Sequence, residues 1–123
     1  MKHTISLNRN EQFLTVYRNG KRAYHKYFTL YYIENRRGEN RLGFKVGKKL
    51  AKATKRNRLR RLMRECYRLN EDRLKTGYDI ILAAREGSLE VDSYKEAAKI
   101  FHKLFVRANL ILTEQAEKKI EKV

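Results

Sequence analysis

Residues 53–84 read ATKRNRLRRLMRECYRLNEDRLKTGYDIILAA, and they decide the fold. From Ala53 to about Leu74, apolar Leu59, Leu62, Met63, Cys66 and Leu69 recur at three- and four-residue steps. That spacing predicts a long helix with one buried stripe. Thr76-Gly77 stops it. Residues 78–84 (YDIILAA) then form a short apolar run, the length and composition of a buried strand.

Working upstream, residues 47–52 are a basic connector, and residues 41–46 alternate Leu42, Phe44 and Val46 with polar neighbours, which is strand period. Residues 35–40 make a polar loop. Residues 22–33 are rich in Tyr, Phe and Thr and predict a short strand, a tight turn near His25-Lys26 and a longer strand over 27–33. Asn8-Arg9-Asn10-Glu11 is a variant capping box, with Phe13, Leu14, Val16 and Tyr17 at helical spacing behind it and a stop at Asn19-Gly20. Downstream, residues 85–92 are a loop. Ser93-Tyr94-Lys95-Glu96 is a second capping box, and Ala97, Ile100, Phe101, Leu104, Phe105, Ala108 and Ile111 continue as a helical stripe. The alternating charges from Glu114 onward predict a frayed tail. The order α-β-β-β-α-β-α predicts an α+β sandwich with one four-stranded sheet, a single domain over residues 1–123. No repeat, low-complexity segment or linker interrupts it, and proline is absent.

A chain of 123 residues is long enough for one hydrophobic core. Its 30 basic residues against 14 acidic ones give a net charge of +16. Self-repulsion on that scale costs stability, so a polyanionic partner is the simplest reason to keep it. The apolar runs at 80–84 and 110–112 are far too short to span a bilayer, and no signal-peptide pattern opens the chain. The expectation is a cytoplasmic protein with no membrane attachment. Cys66 is the only cysteine, which excludes an intrachain disulfide framework and a cysteine-based zinc site, and it falls on the apolar helix stripe as a core residue.

The charge is focused. Residues 44–68 hold eleven Lys or Arg against one acid, Glu65; the other 98 residues hold nineteen and thirteen. Arg56, Arg60 and Arg64 stack at i, i+4 and i+8, with Asn57, Arg61 and Arg68 beside them. Like charges at this spacing cost a few tenths of a kcal/mol per pair in an isolated helix. A solvated face mixes both signs; this one does not. Arginine binds phosphate bidentately and stacks on bases, so the row is a nucleic-acid face.

The aromatics admit two roles. Phe13 and Tyr17 are i, i+4. Strand alternation places Tyr27 and Tyr31 on one face and Phe28 and Tyr32 on the other. Such rings stack unpaired bases or fill a core, and composition alone leaves both open. His3, His25 and His102 follow no ligand spacing, and the acids assemble no evident general acid–base or metal-holding set.

The segment Lys55-Arg56-Asn57-Arg58-Leu59-Arg60-Arg61-Leu62-Met63-Arg64-Glu65, preceded by GFKVGKKLAKAT, resembles the RNR signature of the bacterial ribonuclease P protein subunit. The resemblance extends over nearly the whole chain, from NEQFLTVYRNG through the aromatic strand and YDIILAAR to the last helix. It departs at Ala51-Lys52-Ala53-Thr54, where that family commonly has Gly-Asn-Ala-Val; the arginine face is untouched. In that family the RNA subunit performs the chemistry, a Mg²⁺-assisted cleavage that removes the 5′ leader of precursor tRNA, and no metal is held tightly by the protein. The resemblance implies partners in ribonuclease P RNA and precursor tRNA, with one protein per RNA. Carried over by position, the RNA contacts are Lys55, Arg56, Asn57, Arg58, Arg60, Arg61, Arg64 and Arg68. The leader cleft takes Phe13, Tyr17 and Tyr31 as exposed stacking platforms, with Lys48 and Lys49 alongside. The family fold also implies a left-handed βαβ crossover, against the usual hand. Two rival readings are a general or ribosomal RNA-binding protein without a leader cleft and a DNA-binding regulator, for which no helix-turn-helix or dimerising element is visible.

Overall fold

The computed structural model describes residues 3–91 and 93–112; the predicted tail from Glu114 lies outside them. The elements are β1 (Thr4–Ser6), α1 (Asn10–Asn19), β2 (Lys21–Tyr24), β3 (Phe28–Glu34), β4 (Asn40–Lys45), α2 (Ala53–Asn70), β5 (Tyr78–Ala84) and α3 (Tyr94–Arg107). One five-stranded sheet runs in the order β1-β4-β5-β3-β2. β2–β3 and β3–β5 are antiparallel, while β1–β4 and β4–β5 are parallel. β4 and β5 are joined through α2, so the predicted βαβ crossover carries the arginine helix.

Alternation on the central strands sends residues to two different cores. Phe28 and Leu30 of β3, Leu42 of β4, and Ile80 and Leu82 of β5 face α2 and α3, where they meet Leu59, Met63, Cys66, Phe101 and Phe105 among others. Each such side chain contributes about 1.5–3 kcal/mol when fully buried. Ile81 faces the other way and packs with Val16 of α1 and Leu7, and Phe13, Tyr17, Tyr31 and Ile33 surround them.

Polar contacts lock the layers. Tyr67 of α2 is fully buried, and its hydroxyl shares a 2.8 Å hydrogen bond with Thr4 Oγ1 of β1. Asn40 Nδ2 donates to the Tyr67 hydroxyl at 3.4 Å and to the Lys75 carbonyl at 3.0 Å, while its Oδ1 accepts from the Tyr78 N–H. On neighbouring strands, Arg41 forks onto Asp79 at 2.6 and 2.7 Å, and Asn35 Nδ2 donates to the same carboxylate. That pairing holds the Arg41 guanidinium above its ordinary pKa.

Several expectations are corrected. The sheet has five strands, not four: β1 is three residues long and exists only through its pairing with β4, Thr4 opposite Asn40 and Ser6 opposite Leu42. So short a strand leaves no alternation to detect. α2 ends at Asn70 rather than Leu74, because Asn70 Nδ2 turns back onto the Cys66 carbonyl at 2.8 Å; a 3-10 turn over Glu71–Arg73 follows. Leu69 is not on the buried stripe but 54% exposed. α3 ends at Arg107, Asn109 takes a positive φ of 58°, and Ile111 pairs with Leu74 as an isolated bridge. The first helix is capped at Arg9, with Gln12 Oε1 accepting from the Asn8 and Arg9 N–H groups in place of Glu11. Gly20 follows α1 in extended backbone; a Cβ there would lie 2.7 Å from the Tyr32 carbonyl oxygen. The Ser93 cap, the His25-Lys26 turn and the burial of Cys66 stand as predicted.

Candidate nucleic-acid interface

α2 begins without an acidic residue in its first turn and without a side-chain cap on Lys52. Cations at a helix N-terminus oppose the macrodipole, so this end is electrostatically unfavourable in the free protein. Phosphate oxygens would relieve it. Lys55, Asn57, Arg58, Arg61, Arg64 and Arg68 are all exposed, and Arg60 is half-buried. They do not form one uniform face. Arg68 is turned onto Glu65 by a forked ion pair. Arg60 Nη1 donates to Asn57 Oδ1 at 3.1 Å. Arg64 lies over the Phe44 ring, 5.7 Å from its centroid, in cation–π contact. Arg56 behaves differently: its Nη1 donates to the Ala51 carbonyl at 2.8 Å and reaches Lys48 O at 3.4 Å. It clamps the 47–52 connector to the helix, so its first role is to position Lys48 and Lys49, both exposed in that turn.

Beyond the short β1, the flank of β4 opens into a groove of about 530 Å³. Arg60 and Arg64 form one wall, Phe13 of α1 the other, and Gly43 and Phe44 the floor, with Ile5 and Asn8 at the N-terminal side. Residues from both faces of the sheet thus meet in one channel. Gly43 makes this possible: a Cβ there would come within 2.8 Å of Phe13 Cε1 and closer still to Cζ. The bare backbone lets the ring lie against the strand.

Tyr17 and Tyr31 continue from Phe13. The Phe13 and Tyr17 rings are 6.4 Å apart, and Tyr17 meets Tyr31 edge-on at 4.9 Å. All three rings are half-buried against the small core rather than fully exposed. The Tyr17 hydroxyl is buried with no hydrogen-bond partner among the described residues, and burial first, then Tyr31, pushes it up from the ordinary tyrosine range. The groove gathers Phe13, Arg60 and Arg64; Tyr17, Tyr31, Lys48 and Lys49 are not in its lining. Sequence reasoning missed Ile5 and Asn8, and it placed Phe44 on a strand without seeing Arg64 above it.

Among the described residues no cluster of three His, Cys, Asp or Glu is assembled, and no helix is long and apolar enough to cross a membrane. Burial pushes the Cys66 thiol up to about 12, so it is not poised as a nucleophile at neutral pH.

Comparison with known proteins identifies a family for the chain. The ribonuclease P family model matches residues 1–109. The ribonuclease P protein component of Natranaerobius thermophilus is 40% identical over 111 residues, covering 90% of this chain and 96% of that protein. That of Alkaliphilus oremlandii is 41% identical with the same coverage. Among solved structures, the RNase P protein from Thermotoga maritima in complex with 1-(4-fluorophenyl)-2-thiourea superposes with a TM-score of 0.73 at 31% identity, covering 80% of this chain and 95% of that one. A Staphylococcus aureus RNase P protein mutant with defective mRNA degradation activity gives a TM-score of 0.79 at 24% identity, covering 86% and 89%, which speaks to the fold.

Proposed function

The chain belongs to the ribonuclease P protein family, and from that premise we propose that it seats the catalytic RNA on α2 and holds the 5′ leader of precursor tRNA in the groove between α1 and α2. Its partnership with ribonuclease P RNA follows from the family; the division of labour along its surface is our reading. The observation that carries it is the convergence of Phe13, Arg60 and Arg64 on one channel. A strand of unpaired nucleotides needs an aromatic or apolar surface for its bases and cations for its phosphates, and this groove offers both within one cross-section.

In this reading the RNA subunit carries the chemistry with Mg²⁺, and the protein contributes position and charge. Arg58, Arg61 and Lys55 neutralise phosphates of the RNA subunit along the exposed side of α2. Arg64, set over Phe44, and Arg60, braced by Asn57, face the leader. Tyr17 and Tyr31 support Phe13 from behind and extend the apolar surface toward β3. Lys48 and Lys49, held beside α2 by Arg56, meet the backbone of either RNA. Arg68 is partly committed to Glu65 and gives the weakest contact of the row. Fixing the leader lowers the entropic cost of bringing the scissile bond to the RNA active site. Neutralising phosphate repulsion lowers the Mg²⁺ that the RNA requires. One protein per RNA suffices, and the reaction belongs to the cytoplasm, where precursor tRNA is made.

The test is reconstitution at low Mg²⁺: purified protein, a bacterial ribonuclease P RNA and 5′-labelled precursor tRNA. Leader release that needs both macromolecules, and tighter binding of precursor than of mature tRNA, is the expected result. Equal binding of the two tRNAs would refute the leader groove, and RNA binding without any stimulation would return the protein to general RNA binding.

A further inference from the structure

We infer that a second groove, between α2 and α3, is an additional binding site for unpaired nucleotides of the same RNA subunit; this rests on the reading that the protein binds that RNA. The groove has a volume of about 700 Å³, larger than the α1–α2 channel. Leu69, Tyr94 and Ala98 give it an apolar lining, and Arg73, Lys95, Lys99 and Lys103 contribute its cations, with no carboxylate among the lining residues. Leu69 is nine positions from Arg60, about 180° around the helix. The site therefore sits on the opposite flank of α2, and one helix separates two basic channels.

Three observations favour RNA over another occupant. Tyr94 is 51% exposed and Leu69 54% exposed, so an aromatic ring and an aliphatic side chain stand open together in a cleft. Lys95, Lys99 and Lys103 follow one another at i, i+4 and i+8, stepping about 6 Å along α3, a ladder that repels itself unless anions lie along it. Lysine is depleted from protein–protein interfaces, whereas a cationic track beside an exposed ring is the general pattern for single-stranded nucleic acid. The pieces come from different parts of the chain: Leu69 stands open on the last turn of α2, and the Ser93 cap fixes Tyr94 at the start of α3.

The experiment measures full-length protein binding to ribonuclease P RNA over a series of salt concentrations. Lys95→Gln/Lys99→Gln/Lys103→Gln is expected to lower the slope of log K against log salt by about 2–3, at roughly 0.7–0.9 per phosphate contact. A charge-matched triple outside the lining of both grooves, Arg18→Gln/Lys21→Gln/Arg36→Gln, is expected to change it by less than about 1. Tyr94→Ala should weaken binding about tenfold and Tyr94→Phe should not, since the ring and not the hydroxyl stacks. If both triples shift the slope equally, or Tyr94→Ala is silent, the site is refuted. Arg58→Gln/Arg61→Gln, measured in parallel, separates the readings: loss there with a silent α2–α3 groove overturns only this inference, whereas wild-type protein that fails to bind the RNA overturns both. Self-association that the groove variants abolish while RNA affinity stays fixed would also overturn it, assigning the groove to a second copy of the chain.

Discussion

Gly43→Ala offers the sharpest test of how the proposed leader groove is built. The added Cβ would approach Phe13 Cε1 to 2.8 Å and Cζ closer still. Carbon atoms settle at about 3.5–4.0 Å, so the ring must retreat by roughly 1 Å. Overpacking of this kind costs about 1–3 kcal/mol, less the roughly 0.5–1 kcal/mol that alanine gains over glycine within a strand. The clash involves one partner, so a double-mutant cycle isolates it. In a Phe13→Ala background the obstruction is gone, and Gly43→Ala should be neutral or slightly stabilising. The expected coupling between the two sites is therefore about 1 kcal/mol or more, by urea denaturation. In the cleavage assay, Gly43→Ala should lose discrimination between precursor and leaderless tRNA while affinity for the RNA subunit holds. Equal destabilisation by Gly43→Ala in both backgrounds would refute the claim that this glycine exists to seat Phe13.

Replacing Arg60 and Arg64 together by Gln should reduce the salt slope of precursor-tRNA binding to the protein–RNA complex by about 1.4–1.8, measured by filter binding. Asp79→Asn leaves Arg41 without its counter-charge in a pair whose carboxylate side chain is only 7% exposed, and should cost about 3–5 kcal/mol in urea denaturation. Arg56→Ala should cost stability of about 0.5–1.5 kcal/mol through its lost carbonyl contact, and should raise proteolytic cutting within the 47–52 connector. The Cys66 thiol, raised from 9.0 to about 12, favours the fold fully below pH 9. Wild type should therefore lose stability relative to Cys66→Ala as pH rises from 9 toward 12, where the unfolded thiol ionises first.

Elements marked by local chemistry were legible in the sequence. The Ser93 cap, the YDIILAA strand, the arginine helix and its start at Ala53 all declare themselves within a few residues. What escaped depends on partners distant in the chain. β1 is a strand because Asn40, Arg41 and Leu42 lie beside it, and three residues carry no period of their own. The early end of α2 turns on a side-chain bond from Asn70 to a backbone carbonyl, which a hydrophobic pattern does not register. The same blind spot hid Tyr67: nothing in its neighbourhood announces that its hydroxyl meets Thr4, 63 residues away. The arginines were visible as a row, but their individual commitments were not. Arg56 to a carbonyl, Arg68 to Glu65 and Arg64 to Phe44 follow from where the connector, the helix surface and β4 come to rest.

The placement of β5 between β4 and β3 governs the order in which this protein is assembled on the ribosome. β3 is separated from β5 in the chain by β4 and α2, and β4 reaches it only across α2; Arg41 and Asp79, partners across the β4–β5 ladder, are 38 residues apart. The amino-terminal half emerges with α1 and the β2–β3 hairpin, whose contacts are local and form fast. It has no middle strand to close its sheet. α2 emerges next, but its apolar stripe has no complete floor until residues 78–84 leave the exit tunnel. A nascent chain short of that point carries thirteen of its fifteen arginines without the complete sheet that fixes their positions. Insertion of the YDIILAA strand sets the α2 arginines and Phe13 in a fixed relation, so the channel between them forms as the sheet closes.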